Sequence, residues 1–404
     1  MADAPENVTA DASREAWITG IGIVSCLGEG PDAHWQGLSS GKPAADDTTY
    51  PPYIIHKIAP LEFDKQIPKK GDQRQMEAWQ RIGTYAAGLA LDSAGIKGNT
   101  EILARTDMIV AAGGGERDIA ADTAILSGLP GAEKPEAFLN ERLMSDLRPT
   151  LFLAQLSNLL AGNISIVHGV IGSSRTFMGE ESAGVDAVRI AHARIVAGQS
   201  DIALVGGSHN SERPDLLMLY EFGGFALKDK FAPVWKREAN AGLALASLGA
   251  FLVIESRAHA DARGAKRIAK LTAVLSDRTK RHPGDMSAVL GRLWSKLAPR
   301  LKPGQAAVIS GATGAAPATA EERAFLTQQK DIAVRATGTY LGHAFEPQFP
   351  MNVALAAIAV SRGSLYPPGD DSGVERTMEG PLTQAVVTSV GHWRGEGLAL
   401  VEAP

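Results

Sequence analysis

Cysteine is nearly absent: Cys26 is the single thiol in 404 residues, which excludes an internal disulfide and fits a reducing compartment. No apolar run approaches about twenty residues, so no segment reads as a membrane span. Aromatic residues contribute only 6%, and a formal net charge of −5 gives no basic excess to draw the chain to nucleic acid. The spacings C-x-x-C and H-E-x-x-H do not occur, and His168, His192 and His209 stand in no ligand pattern, so no metal is expected. Phosphate-loop patterns are missing too: Gly113-Gly114-Gly115 closes a strand-like run, and no G-x-x-x-x-G-K-[ST] or G-x-G-x-x-G follows it. Residues 1–16 lack the basic start and apolar core of a secretory signal. They read as a disordered tail, and the expected location is the cytoplasm.

What remains is ample material for a large core: 45% hydrophobic residues and 43 glycines, enough length for two domains or one pseudo-duplicated unit. Trp17–Ser25 and Thr106–Gly115 read as strands that end in glycine. The central stretch runs from a strand at Arg175–Met178 through the small-residue turn Gly179–Gly184 into a helix at Val185–Ala197. A buried strand, Asp201–Gly207, closes it. A strand entering a tight turn and then a helix is where α/β enzymes place a nucleophile, because the helix N-terminus offers free N–H groups and positive potential. Later strands are expected at Lys270–Ser276, Ala306–Gly311 (the counterpart of Asp201–Gly207), Ile332–Ala336, Ala385–Val390 and Leu398–Glu402.

The opening TGIGIVSCLG, the turn EESAG, the run GLALASLGAFLVIES and the segment GTYLGH together resemble the β-ketoacyl-ACP synthases, the 3-oxoacyl-ACP synthase II-like condensing enzymes. The resemblance extends from Trp17 to Glu402. It implies an α/β thiolase fold: five layers, α-β-α-β-α, built from two pseudo-duplicated βαβαβαββ halves with mixed sheets. The halves would be residues 17–256, carrying the elbow, and 257–404, carrying a remaining active-site histidine. It also implies a cytoplasmic place in fatty-acid or related acyl-chain biosynthesis and an acyl carrier protein as partner. That partner brings its own phosphopantetheine, so no cofactor is expected. Lys69, Lys70 and Arg74, in the basic loop before a helix, are the candidate docking cations. Dimerisation, as a homodimer or with an active ketosynthase, would run through Ser174–Met178.

The family's chemistry maps poorly. Its nucleophilic cysteine falls on Glu181, and Cys26 lies outside the elbow, where it reads as a small buried residue. The first histidine has no counterpart in Ser310–Pro317. The second is kept as His343, but its companion lysine is Gly338. The turn that gates the site and offers an oxyanion N–H becomes Gly391-His392-Trp393-Arg394-Gly395, one residue longer and bulkier. Glu181 has two readings: an anion capping its own helix and bonded to His343, or a protonated donor like the glutamine of decarboxylating ketosynthase-like domains. The expected function is a non-condensing, chain-length-factor-like partner of an active synthase. The alternative is a malonyl-ACP decarboxylase, with residual synthase activity third.

Overall fold

A computed structural model describes residues 11–148 and 151–404. The first five long strands are β1 (Ala16–Ser25), β2 (Asp107–Ala111), β3 (Ser174–Phe177), β4 (Ile202–His209) and β5 (Leu248–Ser256). The next five are β6 (Ala269–Asp277), β7 (Ala306–Ser310), β8 (Ala333–Ala336), β9 (Gln384–Val390) and β10 (Glu396–Glu402). Their spatial order is β3-β2-β4-β5-β1-β6-β10-β9-β7-β8, so each half repeats third, second, fourth, fifth, first, the second half in mirror sequence. Within a half the third, second and fourth strands, running in from the sheet edge, pair in parallel, and the two pairings nearer the junction are antiparallel. The halves touch edge to edge through Trp17↔Lys270 and Ile18↔Ala269, which makes one continuous hydrogen-bonded sheet of the two expected.

Buried on both faces, these strands read as apolar runs. The outer face of the first half carries α1 (Ala78–Ser93) and α2 (Leu159–His168). Between the halves lie α3 (Glu181–Val196) and α7 (Gln348–Arg362), each packed on strands of both sheets. The outer face of the second half carries α5 (Asp285–Leu297) and α6 (Ala318–Gln328); α4 (Pro214–Phe222) flanks the elbow. This is the five-layer thiolase arrangement. Close packing depends on missing side chains: a Cβ on Gly22 would meet the Ala86 carbonyl of α1 at 2.0 Å, and one on Gly184 of α3 the Glu346 carbonyl at 2.3 Å.

Three expectations change. β7 is the counterpart of β2, and β9 is the counterpart of β4: β7 sits between two parallel neighbours, and a short buried apolar run does not reveal which central slot it fills. The tail is shorter than residues 1–16. Ala12–Arg14 forms a helical turn, held because Arg14 donates to the Ile195 and Ser200 carbonyls and to Asp201, and β1 begins at Ala16; the rest of the tail, residues 1–10, lies outside the described residues. The elbow helix starts at Glu181, four residues before the expected start, since nothing in Glu181–Gly184 obstructs helical backbone. No helix of the described residues is long and apolar enough to cross a membrane.

Candidate functional site

The chain leaves β3, turns at Gly179 (φ 131°) and passes through Glu180 at φ 56°, ψ −134° before α3 begins. The sparsely populated backbone of the elbow is therefore at Glu180, and Glu181 is the first helical residue. Glu181 is 2% exposed. No side chain caps α3. The helix-capping part of the expected reading is corrected, while the expected bond to His343 is present: Oε1 accepts from His343 Nε2 at 2.8 Å, His392 Nδ1 at 2.8 Å and the His392 backbone N–H at 3.2 Å. The other oxygen, Oε2, is buried without a partner.

Each histidine is fixed from behind. His343 is tied by backbone bonds to Ala244 and Ala246 (2.8 and 2.9 Å), and His392 rides on the turn after β9, which Gly391 N–H closes on the Gly395 carbonyl at 2.8 Å. Gly391 is obligatory, because a Cβ there would stand 2.1 Å from the Arg394 carbonyl. Phe345 packs edge-on to both imidazoles and stacks on Tyr220 (centroids 4.7 Å apart), while Phe225 covers His392.

Burial raises the pKa of Glu181, but the His392 charge and the hydrogen bonds from both histidines outweigh it and hold the carboxyl below its ordinary range. Burial also works against charged His392, yet the carboxylates of Glu181 and Glu180 lift it above the ordinary imidazole range. His343 goes the other way, because burial outweighs its bond to Glu181. Both imidazoles can donate to Oε1, His343 through Nε2 and His392 through Nδ1, beside a carboxyl held toward its ionised form. An ionised Glu181 cannot donate, which is contrary to the protonated-donor reading. The ligand atoms of Glu181, His343 and His392 do lie within 4.8 Å of one another. A metal would fit only after both imidazoles gave up the protons they direct at Oε1.

Two glycines in segments near the site are packed tightly against backbone. A Cβ on Gly311, in the stretch without the first histidine, would lie 2.7 Å from the Thr388 carbonyl. One on Gly338, at the lysine position, would lie 2.8 Å from the Ala312 carbonyl. Cys26 is no substitute: burial pushes its thiol up to about 12, and Sγ donates to the Tyr340 carbonyl at 3.3 Å. Lys69, Lys70 and Arg74 are exposed, but Lys70 is paired with Asp64 at 2.5 Å.

Beside the cluster is a cavity of about 290 Å³ lined by Trp79, Glu180, His209, Tyr220, Phe345 and Glu346. His209 Nδ1 faces Glu346 at 3.7 Å, the Tyr220 hydroxyl donates to Glu180 at 3.4 Å, and burial raises the Glu180 pKa. The sequence reading missed this acidic rim, and it treated His392 as part of a gate rather than as Glu181's partner. The one available signal was a histidine in a turn that the resemblance already aimed at the elbow.

Comparison with known proteins bears on the whole arrangement. The family profile "Beta-ketoacyl synthase, N-terminal domain" matches residues 13–260, more than half of the chain. The 3-oxoacyl-[acyl-carrier-protein] synthase 2 of Vibrio cholerae is 25% identical over 273 residues, 64% of this chain and 62% of that protein, so the match spans under two thirds of the relative. The tetracenomycin polyketide synthase ketoacyl synthase beta subunit of Streptomyces glaucescens is 25% identical over 405 residues, 94% of this chain and 95% of that one. Among solved structures, the ishigamide ketosynthase/chain length factor superposes with a TM-score of 0.78 at 18% identity, covering 97% of this chain and 99% of that one. A type II PKS acyl-carrier protein in complex with its ketosynthase gives 0.75 at 17%, covering 97% and 100%. Fold, elbow and profile agree: the chain belongs to the β-ketoacyl synthase family.

Proposed function

We propose that this chain is a non-condensing, chain-length-factor-like partner of an active 3-oxoacyl-ACP synthase, working in the assembly of fatty-acid or polyketide chains. The observation that carries this reading is the Glu181 cluster. Where a condensing enzyme presents a thiolate to its substrate, this chain buries a carboxylate that already occupies the His392 N–H and both imidazoles. The near full-length likeness to a ketoacyl synthase beta subunit supports it, as does the superposition on a ketosynthase/chain length factor. Decarboxylation of malonyl-ACP fits less well. A malonyl carboxylate about 4 Å from ionised Glu181 would be repelled by roughly 4 kcal/mol at an effective dielectric near 20, and Glu180 and Glu346 place two further carboxyl groups at the rim.

The pairing face we assign to β3. It is the open edge of the first sheet, flanked by exposed Ile171 (66%) and Met178 (64%). Acyl carrier protein would dock through Lys69 and Arg74, with Lys70 contributing less because Asp64 already neutralises it. The test is purification of the tagged protein from its native cells, followed by incubation with acyl-ACP and intact-mass analysis. We expect a cysteine-bearing synthase to co-purify and to carry the acyl group, while this chain stays unmodified. A homodimer free of any synthase, or acylation of this chain, would refute the proposal.

A further inference from the structure

A second cavity, of about 420 Å³, lies between the turn Val234–Asn240 and α6, and shares none of its lining with the cavity at Glu180. That volume lies within the range of small-molecule sites, roughly 300–1,000 Å³. On α6, Thr319, Ala320, Arg323, Ala324 and Thr327 line it: one helical face on which the alanines leave a groove. Opposite stand Val234 and Arg237.

Arg237 is the unusual group. It is 2% exposed, donates from Nε to the Ala232 carbonyl at 2.8 Å and from Nη1 to the Gly242 carbonyl at 3.1 Å, and leaves Nη2 buried without a partner. Gly314 makes room for it, since a Cβ there would stand 2.5 Å from Nη1. Of the neighbouring carboxylates, Glu238 lies in the cavity lining itself but is paired there with Arg323, and Asp371 holds Lys236. Burial alone moves Arg237, down to about 9, with no carboxylate restoring it, so the guanidinium remains charged at neutral pH. A buried cation without a counter-ion is costly, and an incoming anion relieves that cost. The Thr319 hydroxyl, which accepts from Gly314 N–H at 2.9 Å, still has its own proton to donate.

We propose that this cavity binds a small amphipathic carboxylate, its head met by Arg237 and Thr319 and its apolar body lying against Val234, Ala320 and Ala324. The assignment is independent of the role proposed for Glu181. The test is titration of the intact protein with hexanoate, hexanol and inorganic phosphate, read by calorimetry and by thermal stabilisation. Hexanoate should bind about tenfold or more tighter than hexanol, the usual advantage of a charge-assisted hydrogen bond, and phosphate should bind weakly for want of an apolar body. Arg237→Met should lose the preference for the acid over the alcohol. Because that variant alters a buried group, Ala324→Phe is the second probe: it fills the exposed groove without touching Arg237, and should weaken hexanoate by a similar factor while leaving the ligand-free melting temperature in place. Equal binding of hexanoate and hexanol, phosphate matching hexanoate, hexanoate affinity unmoved by Ala324→Phe, or no binding at millimolar concentrations would each overturn it.

Discussion

Replacing Glu181 by glutamine keeps the shape of the side chain and removes its charge, at a position where one oxygen holds two imidazoles. The amide oxygen can still accept from both. What is lost is the charge-assisted part, the difference between roughly 1.5–3 kcal/mol for a bond to a charged group and roughly 0.5–1.5 for a neutral one. Over two imidazole donors the loss is about 2–3 kcal/mol near pH 6. Its pH dependence follows from the directions of the shifts. The folded pKa of His392 is raised, so its contribution is complete below about 6.5 and fades as pH climbs through the folded value. That of Glu181 is lowered, so its contribution is complete above about 4.3 and fades only in acid. The pair is therefore worth most between those limits. His343 acts in the same sense: its pKa is lowered already, and loss of the carboxylate lowers it further, so the variant is penalised more in mild acid. Buried His34, His56 and His168 are also lowered, but they are common to both proteins and cancel in the difference. Urea unfolding of both proteins from pH 5.5 to 9 measures this directly. The stability gap should narrow toward the alkaline end as His392 gives up its proton. A gap that stays constant, or a variant more stable than the parent at pH 6, would refute the ion-paired cluster.

The parent should release no carbon dioxide from malonyl-ACP between pH 5 and 9, because ionised Glu181 offers repulsion where a donor is needed; turnover that decays on the alkaline side would restore the protonated-donor reading. Acyl-ACP should leave no mass shift on the purified chain, and an adduct that survives Cys26→Ala would show a nucleophile other than the only thiol. Gly311→His should cost about 1–3 kcal/mol through overpacking against Thr388, as read by thermal melting; an unchanged melting temperature would mean that the space is open. Charge reversal at Lys69 and Arg74 should weaken carrier-protein binding and flatten its salt dependence, with Lys70 reversal milder because its partner Asp64 is already in place; equal effects at all three positions would show that this pair does not persist in solution.

The sequence by itself determined the fold. Long buried strands, glycines where strand crosses helix, and a strand–turn–helix elbow are local patterns, and local patterns survive substitution of the reactive groups because they serve packing. It likewise determined that the single cysteine lies outside the elbow and that a glutamate stands at its turn, since those are questions of which residue stands at a position. Tertiary structure decided the rest. Two apolar runs of similar length, Ala306–Ser310 and Gln384–Val390, differ only in their neighbours across the sheet, so their pairing with the first half could not be read along the chain. Whether Glu181 caps its helix, accepts a proton or pairs with histidine depended on groups 162 and 211 residues away. Its ionisation depended on how burial and two imidazoles balance within a few ångströms. The closure of the space at Gly311 and Gly338 depended on carbonyls from other segments. Periodicity and composition record which face of an element is buried. They carry no information about which distant group meets that face, and for a charge in a low-dielectric interior the meeting sets its state.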